Sequence, residues 1–201
     1  MNTNNGVSMR MRARVGPRIL VTWFATASTV AYADPEVQTL AIATGLIVLT
    51  AVATPERDES DHVAIEAGRF DGIKKIQPAT TFGLEYRMGR LLWWRLRPFA
   101  GVGITTQHSF YGYGGIRLAT YWGEHIVATP SFAVGGYSRG AGKDLGNPPI
   151  VGRFGIDLGY RFQNDLLVGL AYHHISNGKL LGQMTNPGTE IVALTVSMPV
   201  R

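Results

Sequence analysis

The chain has 201 residues, no cysteine and a formal charge of +5, and its 25 glycines accompany 8 tyrosines, 8 phenylalanines and 4 tryptophans. A length of this order holds one domain once a targeting segment is set aside, and without cysteine neither a disulfide frame nor a thiolate metal site can form. The charge does not point to nucleic acid, because Arg10, Arg12, Arg14 and Arg18 all lie near the start; from Asp34 onward 15 basic residues face 14 acidic ones, with no basic run, zinc spacing or helix-turn-helix pattern.

The four arginines precede an apolar stretch, Ile19 to Ala25, and then Ala31-Tyr32-Ala33, the basic, apolar, small-x-small order of a secretory signal. A second apolar stretch from Leu40 ends in Ala51-Val52-Ala53 and has the same form, so cleavage could follow Ala33 or Ala53. The uncharged span 37–54 is at the lower edge of what crosses a bilayer as a helix, which leaves an uncleaved anchor as an alternative. Removal after Ala53 is preferred here, because a chain starting at Thr54 begins just before the first strand-like segment. Residues 1–53 are thus read as a leader and 54–201 as the functional domain.

From position 62 the pattern becomes short segments of alternating apolar and polar or small residues, broken by turn residues. It predicts eight strands, at about 62–70, 79–88, 93–105, 108–121, 124–137, 150–162, 165–177 and 188–199. Eight is the smallest number that closes a membrane barrel. The fold class expected is therefore an all-β, eight-stranded antiparallel up-and-down transmembrane barrel. Connections after the second, fourth and sixth strands are short, and those near 71–78, 138–149 and 178–187 are longer, as in outer-membrane barrels with short inner turns and longer outer loops. The short connection at 106–107 departs from that asymmetry. Tyr86, Trp93, Trp94, Tyr121, Trp122, Tyr160 and Phe162 gather at the strand ends assigned to the inner side, as an interfacial girdle does. Gly101, Gly103, Gly112, Gly114, Gly115 and Gly169 suit a crowded barrel interior.

Chemistry concentrates in Tyr172-His173-His174-Ile175-Ser176-Asn177-Gly178 and, after a loop, Asn186-Pro187-Gly188-Thr189-Glu190. Residues two apart share a strand face. Leu166, Val168, Leu170, Tyr172, His174 and Ser176 form one such face, and Glu190, Val192, Leu194, Val196 and Met198 form another. Both are otherwise largely apolar, so both should face lipid, carrying His174, Ser176 and Glu190 on the outside wall; His173 then points inward as a structural residue. A symmetric hairpin centred near 183 sets Ser176 opposite Glu190 and His174 opposite Val192, and same-face neighbours on paired strands lie roughly 5 to 8 Å apart.

Polar groups in hydrocarbon are costly, and ionisable ones there are by default functional candidates. A serine becomes a nucleophile when an imidazole takes its proton and a carboxylate orients that imidazole. Ser176, His174 and Glu190 fit those roles, and the Asn177-Gly178 backbone with the Asn186 side chain stands ready as oxyanion donors. The plainer alternative is that a strand-end His, Ser and Glu are hydrated contacts to lipid headgroups.

At these residues the sequence resembles the lipid A 3-O-deacylase family of outer-membrane barrels, the PagL type also grouped as acyloxyacyl hydrolases. The matching features are His174-x-Ser176-Asn177 and Asn186-x-Gly188-x-Glu190, with weaker likeness in Phe82 to Arg87, Tyr111 to Ile116, Thr129 to Gly135 and Gly142 to Gly146. The resemblance implies a bacterial outer-membrane esterase that hydrolyses the 3-O-linked acyl chain of lipid A in lipopolysaccharide. It implies Ser176 as nucleophile, His174 as base, Glu190 as third member and Asn186 as oxyanion donor, with no metal or other cofactor. The implied partners are lipid A and membrane lipid, with no nucleic acid; a homodimer is left open. Two features depart from the family pattern: a somewhat longer segment between Ser176 and Glu190, and a C-terminus, Arg201, that is not aromatic. The competing readings are a non-catalytic barrel, structural or adhesive, and a soluble barrel holding an apolar ligand.

Overall fold

The computed structural model describes residues 35–146, 150–178 and 188–200. One helix, α1 (Pro35–Ala53), precedes nine strands: β1 (His62–Phe70), β2 (Ala79–Arg87), β3 (Arg97–Thr105), β4 (Phe110–Arg117), β5 (Thr120–Trp122), β6 (Ile126–Ser138), β7 (Ile150–Arg161), β8 (Leu167–Ser176) and β9 (Thr189–Pro199). Neighbours in sequence pair antiparallel except β4 with β5, β1 pairs with β9, and both β4 and β5 pair with β6, so the sheet closes on itself. β4 and β5 are two halves of one stave, which gives the eight-stranded antiparallel barrel expected from the sequence.

The fourth predicted strand was continuous over 108–121; the break at Leu118 and Ala119 has a local cause. Leu118 donates its N–H to the Pro130 carbonyl across the ladder, at 3.0 Å. Proline has no N–H to return the bond, so the ladder is lost there. The third predicted strand also starts later than expected, at Arg97 rather than 93. Trp93 to Leu96 forms a tight turn in which Trp94 takes a left-handed φ of 49° and Leu96 N–H donates to the Trp93 carbonyl. The connection after β2 is therefore longer than the sequence suggested.

Alternation sorts the side chains as expected. Phe82, Leu84, Val102, Ile104, Phe132, Val134, Leu158, Leu170, Val192 and Leu194 are exposed on the outer wall. Phe70, Phe99, Tyr111, Tyr113, Tyr137, Ile175 and Ile191 are buried inside, with the Phe70 and Tyr137 rings stacked 6.1 Å apart. Of the six glycines assigned to the interior, Gly112 and Gly114 have no crowding around a Cβ position and lie on the outward face; at Gly103 a Cβ would sit 2.1 Å from the Tyr111 ring. In the aromatic girdle, Tyr86, Trp93, Trp122, Tyr160 and Phe162 are exposed as predicted. Tyr121 is instead buried, with the guanidinium of Arg57 5.2 Å from its ring centre.

A belt of charges crosses the barrel interior. Arg87 Nη2 lies 2.7 Å from Glu85 Oε2 and 2.6 Å from Asp157 Oδ2, and Arg153 Nη2 lies 2.9 Å from Glu85 Oε1. His173 joins through Nε2, 3.4 Å from Glu66 Oε1 and 3.7 Å from Asp157 Oδ1. Buried charges are tolerable only when paired, and removing one partner of such a pair costs about 3–5 kcal/mol. The belt therefore fills and fixes the barrel beneath its aromatic upper core.

The helix α1 lies against β5, β6 and β7. Its buried residues, Leu40, Thr44, Ile47, Val48 and Ala51, follow helical spacing, and Ile42, Leu46, Leu49 and Val52 are exposed on its other side. Ala51 packs with Leu96 and Leu118, flanked by Trp94 and Ile116. Small outward-facing residues, Thr120 and Ala128, are buried in this region. At the helix C-terminus, Arg95 donates to the Ala51 carbonyl and, at 2.6 Å, to the Thr54 carbonyl, supplying donors the last turn lacks. Trp122 Nε1 donates to Thr50 Oγ1 at 3.1 Å. Among the described residues, no helix is long and apolar enough to cross a membrane.

Candidate active site

β8 and β9 form the hairpin predicted to carry chemistry, and its loop end lies at the barrel mouth away from the N- and C-terminal ends of the sheet. On β8, Leu170 is exposed while Ala171, His173 and Ile175 are buried; on β9, Val192, Leu194 and Met198 are exposed while Ile191 and Ala193 are buried. His174, Ser176 and Glu190 share the parity of the exposed set and project from the outer wall. Their strand parity is the outward one read from alternation, although His174 and Glu190 are themselves buried.

The register differs from the symmetric hairpin by two residues. His174 is directly opposite Glu190, and Ile175 is opposite Thr189. Continuing by one residue brings Gly188 across from Ser176. A shift of two leaves every side chain on its face, whereas a shift of one would have turned the set inward. The result is a closer pairing of imidazole and carboxylate than the predicted register gave: His174 Nδ1 lies 3.8 Å from Glu190 Oε1.

Glu190 is fully buried although it belongs to the outward face. Lys74 covers it from the turn between β1 and β2, with Nζ 3.4 Å from the same Oε1. Sequence reasoning missed Lys74. The signal was available only through closure: the first strand pairs with the last, from His62 opposite Pro199 to Phe70 opposite Ile191, which swings the 71–78 turn beside the start of β9.

Gly188 is a close neighbour of the imidazole. A Cβ built on it would stand 2.7 Å from His174 Cε1 and 2.8 Å from Nε2. Those distances are shorter than real Cβ contacts, so the ring rests on bare backbone. On the other side of the hairpin, Gly152 of β7 pairs with Ser176, and a Cβ there would meet nothing nearer than 3.8 Å. The wall beside Ser176 is left open, bordered by the exposed ring of Phe132.

The oxyanion candidates separate. Asn177 is buried and its Nδ2 donates to the Leu145 carbonyl at 2.9 Å, so its amide side chain is turned into the barrel mouth, away from Ser176. Gly178 is exposed, with a left-handed φ of 60° that glycine adopts without strain. Asn186 lies outside the described residues.

Two outer connections, β1–β2 and β6–β7, meet behind this hairpin. Lys143, from the β6–β7 connection, donates to Asp71 Oδ1 at 2.6 Å and to the Gly188 carbonyl at 3.0 Å. Asp71 Oδ2 accepts the Gln77 N–H at 2.7 Å. Burial alone would raise the Asp71 carboxyl; the Lys143 hydrogen bond and the backbone N–H groups of Gln77 and Ile76 outweigh it and hold the group below its ordinary value of 3.8. A depressed carboxyl stabilises the fold above its unfolded pKa, and that contribution is lost as pH falls through the folded value. Asp71→Asn should thus lower the midpoint of heat-induced unfolding, read by electrophoretic mobility, at pH 7. The gap from wild type should close as pH drops below about 4. A constant gap down to pH 3 would contradict the role of the charge.

Glu66, Asp157 and His173 offer donor atoms within 4.8 Å of one another inside the barrel, the spacing of a potential metal site. The cations there are protein groups: Arg87 and Arg153 already neutralise this cluster.

The family model for lipid A 3-O-deacylase (PagL) matches residues 80–199. Among solved structures, the crystal structure of the outer membrane enzyme PagL is similar at 22% identity and a TM-score of 0.52, covering 69% of this chain and 99% of that one. That likeness bears on the fold. A design from work on de novo transmembrane β-barrels is 14% identical with a TM-score of 0.46, covering 73% of this chain and 100% of that one. No curated protein matches the chain.

Proposed function

The chain belongs to the lipid A 3-O-deacylase (PagL) family, and from that premise we propose that it is a serine esterase that removes the 3-O-linked acyl chain of lipid A with Ser176, His174 and Glu190. Its place is the bacterial outer membrane, with the hairpin loop end toward the outer leaflet. The observation that carries the reading is the pairing of His174 with Glu190 directly across the ladder on a wall that is otherwise apolar. An ionisable pair at such a position is costly unless it has work to do.

In the reaction, Ser176 Oγ attacks the ester carbonyl carbon while its proton passes to His174 Nε2, the nitrogen left over once Nδ1 faces Glu190. The carbonyl electron pair moves onto its oxygen. Collapse breaks the bond to the sugar 3-oxygen, and His174 returns the proton to that oxygen, freeing the 3-hydroxyl. A water molecule then attacks the acyl-serine with His174 again as base, releasing the fatty acid and restoring Ser176. Glu190 orients the imidazole and stabilises it when charged, and Lys74 offsets the burial of that carboxylate. With the Asn177 side chain committed to Leu145, the oxyanion donors are the Asn177 and Gly178 backbone N–H groups and the Asn186 amide.

The test is a mass spectrum of purified lipid A before and after incubation with the protein in detergent. Loss of one hydroxyacyl group from the 3-position is expected; unchanged lipid A with every preparation tried would sink the reading.

Export is part of the same proposal. The seat of α1 on the barrel wall, with Arg95 and Trp122 bonded to its last turn, supports cleavage after Ala33, which keeps the helix. The start of β1 at His62 is what favours cleavage after Ala53. The intact mass of the protein recovered from outer membranes should correspond to a chain beginning at Asp34; a chain beginning at Thr54 would overturn it.

A further inference from the structure

We propose that Lys143, held by Asp71, is a positioning residue for the general base, acting on His174 through the Gly188 peptide. The inference rests on the proposed roles of Ser176 and His174 and adds a residue that neither the motif nor the strand pattern marks.

The geometry is a short relay. Lys143 Nζ has its hydrogen bonds to the Asp71 carboxylate and the Gly188 carbonyl, and its side chain is only 7% exposed. Gly188 is the residue whose bare backbone carries the Cε1–Nε2 edge of His174. Fixing the Gly188 carbonyl fixes the peptide on which that edge rests, and Nε2 is the atom that takes the Ser176 proton. Gly188 stands just before the first residue of β9, Thr189, so strand pairing alone holds it weakly.

The same connection also braces the other strand of the hairpin. Two residues after Lys143, the Leu145 carbonyl accepts the Asn177 side chain immediately after the end of β8. One segment thus grips the strand end bearing Ser176 through Leu145 and the strand start bearing Glu190 through Lys143. Asp71 anchors the grip to a third connection, in a backbone conformation with φ of 52° that residues other than glycine seldom take.

A buried ion pair is weak as a stabiliser, since well-packed apolar residues often do as well. What the pair supplies here is geometry: two donors aimed at fixed acceptors that lie 72 and 45 residues away in sequence. Misplacement of a catalytic group by about 1 Å can cost on the order of a hundredfold in rate.

The experiment uses the full-length protein in detergent and a fluorophosphonate, which phosphonylates an activated serine with loss of fluoride. In wild type the label should appear on Ser176; its absence would remove the catalytic reading and this inference with it. In Lys143→Met, both the labelling rate per folded molecule and kcat on lipid A should fall roughly tenfold to a hundredfold, with KM little changed. Lys143→Arg should recover most of both. Asp71→Asn, which keeps an acceptor for Gln77, should show the same pattern more weakly, and it carries the test if Lys143→Met does not fold. Labelling at the wild-type rate in either neutral variant overturns the proposal. So does a loss that tracks the folded fraction alone, with no recovery in Lys143→Arg.

Discussion

Ser176→Ala and His174→Ala should each cut fatty-acid release from lipid A by about 10⁴-fold or more, to a level set by background hydrolysis. The two should be nearly equivalent, because nucleophile and base act as one unit: without the imidazole the hydroxyl keeps its proton, and without the hydroxyl the imidazole has nothing to activate. Glu190→Ala should lose less, since orienting the ring and stabilising its charge is the smaller share of the work. Rates are to be compared per folded barrel, scored by heat-dependent electrophoretic mobility. Comparable activity in all three variants would remove the assignment, and with it the meaning attached to the His174–Glu190 pairing.

Gly188→Ala should lower kcat by about a hundredfold with the barrel intact. The added methyl would stand 2.7 Å from Cε1 and 2.8 Å from Nε2 of His174. Something must move, and the ring has little freedom, with Glu190 3.8 Å from its other nitrogen. The strand backbone cannot easily retreat either, since Lys143 holds the Gly188 carbonyl at 3.0 Å. The imidazole therefore swings away from the position that serves Ser176. Substrate affinity is governed by the apolar wall and should change little, so the loss belongs in kcat rather than KM. Wild-type kcat in Gly188→Ala would mean that the ring does not rest where the structure has it.

Much of this site was legible from two-residue alternation. The apolar runs through Val168 and Leu170 and through Val192 and Leu194 reveal which face meets lipid, and His174, Ser176 and Glu190 share the parity of those runs, which any even shift of register preserves. This is why an error of one residue in the hairpin centre, which shifts the register by two, did no harm. What alternation cannot reach is the conformation of connections. Lys74 and Lys143 come to the hairpin because the barrel closes and because Asp71 gathers two distant loops, and no local pattern encodes either event. The side chain of Asn177 follows its strand parity into the barrel, as alternation implies, but its partner, the Leu145 carbonyl, comes from a distant connection that no local pattern marks. The broken fourth stave was foreshadowed by Pro130, but on the partner strand rather than its own.

On the proposed reading, the outward parity of Ser176, His174 and Glu190 also decides how substrate reaches them. An ester group anchored in the outer leaflet arrives by lateral diffusion in two dimensions, not from bulk solution. Turnover by the embedded enzyme therefore follows the mole fraction of lipid A in its own bilayer. Diluting that bilayer with inert phospholipid slows each molecule at constant total lipid A, whereas adding more vesicles of the same composition leaves its rate unchanged.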